Sequence, residues 1–132
     1  MFLLDTCVWS AARRGDRKAV TWLRRTDSSA LYVSVITLGE IMNGIALKER
    51  RDPKAADVLR DWLHRLQREY ADRTLPVDAD VALEWGRLAA RRPRPMADAL
   101  IAATALVHRK VVVTRNVDDF ADAGVEVINP WA

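Results

Sequence analysis

Asp5, Glu40, Asp98 and the tract Asn116-Val117-Asp118-Asp119 are the residues of this chain best suited to chemistry. Asp5 ends the apolar run Met1-Phe2-Leu3-Leu4 and leads into Thr6-Cys7-Val8-Trp9. A buried strand that stops on a carboxylate delivers the charge to the carboxyl edge of a sheet, where α/β proteins hold their ligands. Glu40 interrupts an apolar helical pattern, Asp98 stands at the start of another, and the 116–119 tract follows a Val-rich strand. Acids inside apolar segments are costly to bury without a cation. Clustered carboxylates repel one another unless one is protonated or a cation joins them. A donor set of oxygens without His or Cys suits Mg²⁺ or Mn²⁺, and such a site activates water and stabilises charge on a phosphodiester. The expectation is a divalent-metal site with Asp5 and Asp98 as ligands. Each acid also has an ordinary role open to it. Asp5 suits the N-cap of the next helix, Glu40 a solvated rim, Asp98 a first helical turn favoured by the dipole, and Asp118 and Asp119 a loop.

The elements that must position these residues alternate between strand and helix. Met1–Leu4 reads as a strand, Val8–Arg14 as a short helix ending near Gly15, and Asp16–Arg25 as a second helix. Leu31–Val33 is a strand, with Ser34 capping a helix over Val35–Arg50. Asp52-Pro53 starts a helix in the cap-then-proline manner. From it Ala55, Val58, Leu59, Trp62, Leu63 and Leu66 recur at helical spacing. Arg73–Val77 is a weak strand, and Asp78 caps a helix running through Ala89. Ala97–His108 is a helix of small residues, Val111–Val113 an apolar strand and Val125–Ile128 a last short strand. Short all-apolar strands separated by helices imply a mainly parallel sheet covered on both faces. The expected fold is a three-layer α/β domain with a helical hairpin, about Val35–Arg68, inserted early.

With 132 residues the chain is expected to form a single domain, residues 1–132. Half the residues are hydrophobic and 30% are charged, which excludes a disordered chain. No apolar run reaches the roughly 18 residues of a membrane span, so no membrane association is expected, and the N-terminal run meets a charge at its fifth residue, unlike a secretory leader. Cys7 is the only cysteine, which excludes an intrachain disulfide and suits a reducing cytoplasm. The net charge of +3 leans toward a polyanionic partner. Arg outnumbers Lys by 17 to 4, which serves phosphate recognition but also follows from a GC-rich genome.

Four ordered stretches give the chain a family likeness. They are Phe2-Leu3-Leu4-Asp5-Thr6-Cys7-Val8, Ser34-Val35-Ile36-Thr37-Leu38-Gly39-Glu40-Ile41, Met96-Ala97-Asp98-Ala99-Leu100-Ile101-Ala102-Ala103-Thr104-Ala105, and Val113-Thr114-Arg115-Asn116-Val117-Asp118-Asp119-Phe120. The chain closes with Val127-Ile128-Asn129-Pro130-Trp131. From end to end it resembles the PIN-domain ribonucleases, specifically the VapC-like toxins of bacterial toxin–antitoxin pairs. The acids of the first three motifs in that family are metal-site carboxylates, and they fall on Asp5, Glu40 and Asp98. The fourth position, after the Thr-Arg pair, is Asp in some members and Asn116 here. An amide brings no negative charge, so a compensating role for Asp118 or Asp119 stays open. The resemblance implies Mg²⁺-dependent endonucleolytic cleavage of RNA, with Mn²⁺ as a substitute. It makes Asp5, Glu40, Asp98 and Asn116 the candidate catalytic set, with Thr114 bracing the site. It further implies a cognate antitoxin, bound in a groove of the hairpin region, and a homodimer.

The turn Arg91-Arg92-Pro93-Arg94-Pro95 precedes the Asp98 helix, so Arg92 and Arg94, with Arg115, are candidate RNA-backbone contacts, against a merely solvated turn. Trp22, Trp62 and Trp85 have core spacing, whereas Trp9 and Trp131 are candidates for an interface. Met42, Ile45, Leu47, Trp62 and Leu66 offer more apolar surface than the hairpin needs for itself. His64 and His108 lie in helices and are not expected to be catalysts. Two other functions remain as alternatives: a metal-dependent DNA nuclease or phosphatase, and a catalytically silent PIN-like module that binds RNA or a partner. A haloacid-dehalogenase phosphatase would need Asp where Cys7 stands.

Overall fold

Five parallel strands form the centre of the computed structural model, which describes residues 1–132. Strand β1 (Phe2–Leu4) leads through helices α1 (Thr6–Arg13) and α2 (Arg17–Arg24) to β2 (Leu31–Ser34). The hairpin α3 (Val35–Glu49) and α4 (Pro53–Glu69) then reaches β3 (Thr74–Leu75). Helices α5 (Ala79–Arg91) and α6 (Met96–His108) return the chain to β4 (Val111–Val113), and the short α7 (Val117–Phe120) connects to β5 (Val127–Ile128). The strand order is β3-β2-β1-β4-β5. The chain winds outward from β1 to β3, then crosses back to build β4 and β5 on the other side. That reversal opens a crevice beyond the carboxyl ends of β1 and β4, the place where such sheets bind ligands.

Local chemistry accounts for most element boundaries. Side chains of Asp16, Ser34, Asp52 and Asp78 each accept from backbone N–H groups of the helix they precede, and Pro53 follows Asp52 as the first helical residue. Alternate strand residues feed two cores. Leu4, Val33 and Val113 pack with Val8, Ile45 and Leu63 beneath α1–α4. Leu3 and Val112 pack with Val81, Leu88, Ile101 and Phe120 beneath α5–α7. A sheet covered on both faces favours apolar residues at successive strand positions, which is why Leu3-Leu4 and Val111-Val112-Val113 do not alternate with polar residues.

The structure shifts several boundaries. Helix α1 starts at Thr6 rather than Val8, because Asp5 caps it. β3 and β5 are two residues each, shorter than the apolar stretches around them. α7 lies within the polar tract after β4, where Phe120, 1% exposed, anchors one turn of helix. Trp22, Trp62 and Trp85 pack against the cores as expected. Trp9 is a core residue, 5% exposed and edge-to-face with Tyr70, rather than an interface residue. Trp131 packs on the same core, and its indole N–H donates to Asp16 Oδ1 at 3.2 Å. On the hairpin, Ile45 and Leu66 belong to the core, so the surplus apolar surface is Met42, Leu47 and Val58. No helix is long and apolar enough to cross a membrane.

Candidate functional site

The register of β1 against β4 pairs Leu4 with Val113 and so sets Asp5 beside Thr114, one residue past each strand end. The Asp5 backbone N–H extends the ladder to the Val113 carbonyl at 2.9 Å. The Asp5 carboxylate is 3% exposed and fully engaged. Its Oδ1 accepts from the Thr6 N–H at 2.8 Å, and its Oδ2 accepts from the Thr114 hydroxyl at 2.8 Å and the Cys7 thiol at 3.6 Å. Helix capping and site building are the same act here. Burial pushes the Asp5 carboxyl above the usual carboxylate range, against the pull of those three donors.

Glu40 reaches the crevice from α3 and stays exposed. The Thr6 hydroxyl donates to Glu40 Oε1 at 2.5 Å and stands 3.0 Å from the hydroxyl of the buried Thr37. Asp98 enters from the first turn of α6. Its carboxyl is pushed up to about 7, chiefly by burial, then by a hydrogen bond with Asp119 and by the charges of Asp5, Asp119 and Glu40. Asp98 and Asp119 therefore face one another in the crevice. None of these four acids is ion-paired, since the six ion pairs of the molecule involve other carboxylates. The result is concentrated, uncompensated negative charge.

Of the 116–119 tract, Asp119 therefore joins the cluster. Asn116 and Asp118 are exposed, and Asn116 contributes its backbone, donating N–H to Thr114 Oγ1 at 3.0 Å and accepting from the Asp119 N–H at 3.1 Å. An open pocket of about 470 Å³ lies against Arg115, Asn116, Asp118, Asp119 and Asn129. His64 is exposed on α4, and His108 ends α6.

Arg92 and Arg94 face inward to protein instead of outward to solvent. Arg92 Nε donates to Asp122 Oδ1 at 3.1 Å, and its terminal nitrogen donates to the carbonyls of Asp118 at 2.6 Å and Ala121 at 3.1 Å. Arg94, whose side chain is 1% exposed, donates to the same Asp122 oxygen at 2.9 Å. Together they clamp the turn that carries Asp119, and Asp122 adopts a left-handed φ of 57° within it. Arg115 is exposed at the pocket lip, its guanidinium 4.4 Å over the Trp131 ring. Thr6 did not stand out in the sequence, although a hydroxyl directly after Asp5 was a signal. Nothing in the sequence marked Asp122.

An oxygen-only set without a protein cation fits a hard divalent ion. No three of the acids stand close enough to ligate one ion directly. Mg²⁺ does not require that, since it keeps several waters and takes one or two carboxylates.

The PIN domain family model matches residues 2–126. The chain is 37% identical to the plasmid stability protein StbB of Pseudomonas syringae pv. tomato, over 99% of both chains. It is 32% identical to the VapC ribonuclease Y4jK of Sinorhizobium fredii, over 99% of this chain and 98% of that one. Toxin FitB of Neisseria gonorrhoeae is 34% identical over 99% of both. The crystal structure of FitAcB from the same organism superimposes with a TM-score of 0.91 over 99% of each chain. With five parallel strands, a carboxylate crevice at the β1/β4 switch point and end-to-end similarity to these relatives, the chain belongs to the PIN-domain family, among its VapC- and FitB-like toxins.

Proposed function

We propose that this protein is a Mg²⁺-dependent endoribonuclease, the toxin of a toxin–antitoxin pair, which hydrolyses RNA phosphodiesters in the cytoplasm. The observation that carries this reading is the convergence of Asp5, Glu40, Asp98 and Asp119 with no cation among them. Asp5 and Asp98 would hold Mg²⁺, or Mn²⁺ in its place, and when bound the ion supplies positive charge to a phosphodiester in transit and makes water more acidic. Thr114 fixes Asp5 Oδ2, so the buried carboxylate keeps one orientation. Thr6 fixes Glu40 Oε1, which leaves Oε2 to orient a water and accept its proton. Asp119, beside Asp98, would supply the negative charge that Asn116 cannot bring with an amide.

A groove of about 530 Å³ between α1, α3 and α4 suits an antitoxin segment, and it runs from Thr6 and Glu40 past Ile41 and Ile45 to Val58 and Trp62. Its apolar floor and the position of Glu40 at one end would let such a segment shield the acids directly. A homodimer belongs to the same reading.

The test is cleavage of mixed tRNA and rRNA by pure protein with Mg²⁺ or Mn²⁺, then with EDTA, beside an Asp98→Ala variant. Cleavage that requires both the metal and Asp98 is expected. A folded protein with neither turnover nor a metal-induced rise in melting temperature would leave the acidic crevice without this role.

A further inference from the structure

Charge along the chain is segregated. Residues 13–25, from the end of α1 through α2, hold Arg13, Arg14, Arg17, Lys18, Arg24 and Arg25 against the single acid Asp16. Everything else in the molecule holds 15 cations and 17 acids, so the positive charge of the protein resides in this segment. All six cations are exposed, and none is ion-paired. Arg17, Thr21 and Arg25 follow at i, i+4 and i+8 with Lys18 and Trp22 beside them, and these residues with Pro130 line a hollow of about 230 Å³. The chain's own contacts join that hollow to the acidic crevice. Lys18 Nζ donates to the Trp131 carbonyl at 3.3 Å, Trp131 donates to Asp16, and Arg115 stacks on the Trp131 ring at the lip of the Asp119 pocket.

We infer that the α2 face, continued by Arg115 and Trp131, is the track that holds the single-stranded RNA backbone as it enters the acidic crevice. The inference rests on the ribonuclease reading above and locates its substrate. Arg17, Lys18 and Arg25, none of them ion-paired, release counterions when phosphates replace them, which favours a polyanion. A second copy of the chain does not fit, because a two-fold interface would set this patch against itself and pair like charges. An acidic peptide does not fit either, since the track runs on into a cluster of carboxylates. Those carboxylates repel peptide and phosphodiester alike until a divalent ion joins them, but only the phosphodiester carries the bond they would act on. Trp22, half-buried in the hollow wall, offers a ring edge and face for a base. Arg92 and Arg94 are committed to Asp122, so the turn before α6 does not compete with the α2 face for the backbone.

The experiment measures binding of a labelled, mixed-sequence single-stranded RNA in EDTA as salt is varied. It compares the parent with R17A/K18A/R25A and with R50A/R51A/K54A, which removes equal charge from the exposed hairpin tip. Loss of three phosphate contacts should weaken binding about 30-fold and lower the log–log salt slope by about 2, at roughly 0.7 per phosphate for single strands. The hairpin-tip variant should keep the parent's slope. Equal slopes in the two triple variants would overturn the track. So would tighter binding of a polyglutamate peptide than of RNA to the α2 face. A parent that binds RNA through α2 but never cleaves it would remove the nuclease reading and leave the track standing.

Discussion

Asp98 retains a proton near neutrality because it is half-buried beside three other acids, and that has a measurable sign. Its carboxyl lies at about 7 in the folded chain against 3.8 for an unperturbed Asp. Between those values the folded state binds more protons than the unfolded one, so stability falls as pH rises through the window. Without metal, the melting temperature should therefore drop from about pH 4 to pH 7, and Asp98→Asn should flatten the drop and exceed the parent in stability at the alkaline end. Identical slopes in parent and variant would show that another group titrates. Mg²⁺ should stabilise the parent more at the alkaline end of the window, since metal and proton compete for the same oxygens. Thr114 is the other residue on which the site leans. Its buried hydroxyl both donates to Asp5 and accepts from the Asn116 N–H. Thr114→Val should cost about 2 kcal/mol in urea denaturation, because a buried carboxylate loses a donor.

At the level of elements, α7 is the least self-sufficient piece of the molecule, a single turn with no side-chain cap. What holds it is the buried ring of Phe120 and the Arg92–Asp122–Arg94 clamp. Asp122→Asn keeps a residue that tolerates positive φ while removing the charge that both arginines meet. Supporting residues of this kind typically set metal affinity, so Mn²⁺ binding by calorimetry should weaken about tenfold. Unaltered Mn²⁺ affinity would show that the clamp does not position Asp119. The hairpin has a firmer base. Ile45 is 1% exposed between α3, α4 and the sheet, and Ile45→Ala should cost about 3 kcal/mol as a core cavity.

At the scale of the whole molecule, two surfaces leave the crevice in different directions and differ in character. One is the cationic α2 face, and the other is the groove from Glu40 to Trp62, whose apolar floor of Ile41, Ile45, Val58 and Leu59 is edged by Arg13, Arg14 and Lys48. Val58 is 66% exposed within that groove, so Val58→Glu should abolish antitoxin binding in a pull-down while leaving the melting temperature close to the parent's. An antitoxin that still binds this variant would have to sit elsewhere. The division has a physical basis: a polyanion is attracted by charge over a distance of several ångströms, whereas a peptide held by apolar contact needs a concave floor.

Asp5, Glu40 and Asp98 stand out in the sequence by themselves because each places a charge where the surrounding pattern is apolar. The strands, the capped helices and the two-faced sheet were legible for a related reason, since unbroken Leu and Val runs and N-cap residues act locally and carry their periodicity with them. The choice among Asn116, Asp118 and Asp119 was not legible. Adjacent positions on a helical turn point about 100° apart, and only the packing of Phe120 and the clamp on Asp122 set its rotation. Arg92 and Arg94 read as solvated or RNA-facing charges because their partner lies about 30 residues away, as the separations of 30 and 28 show. Trp9 read as free for the same reason, its partner Tyr70 being distant in sequence. Local chemistry is written in short windows, but the pairing of one buried charge with another is a property of the closed fold. The sequence therefore named the acids, and the tertiary structure decided which of them meet.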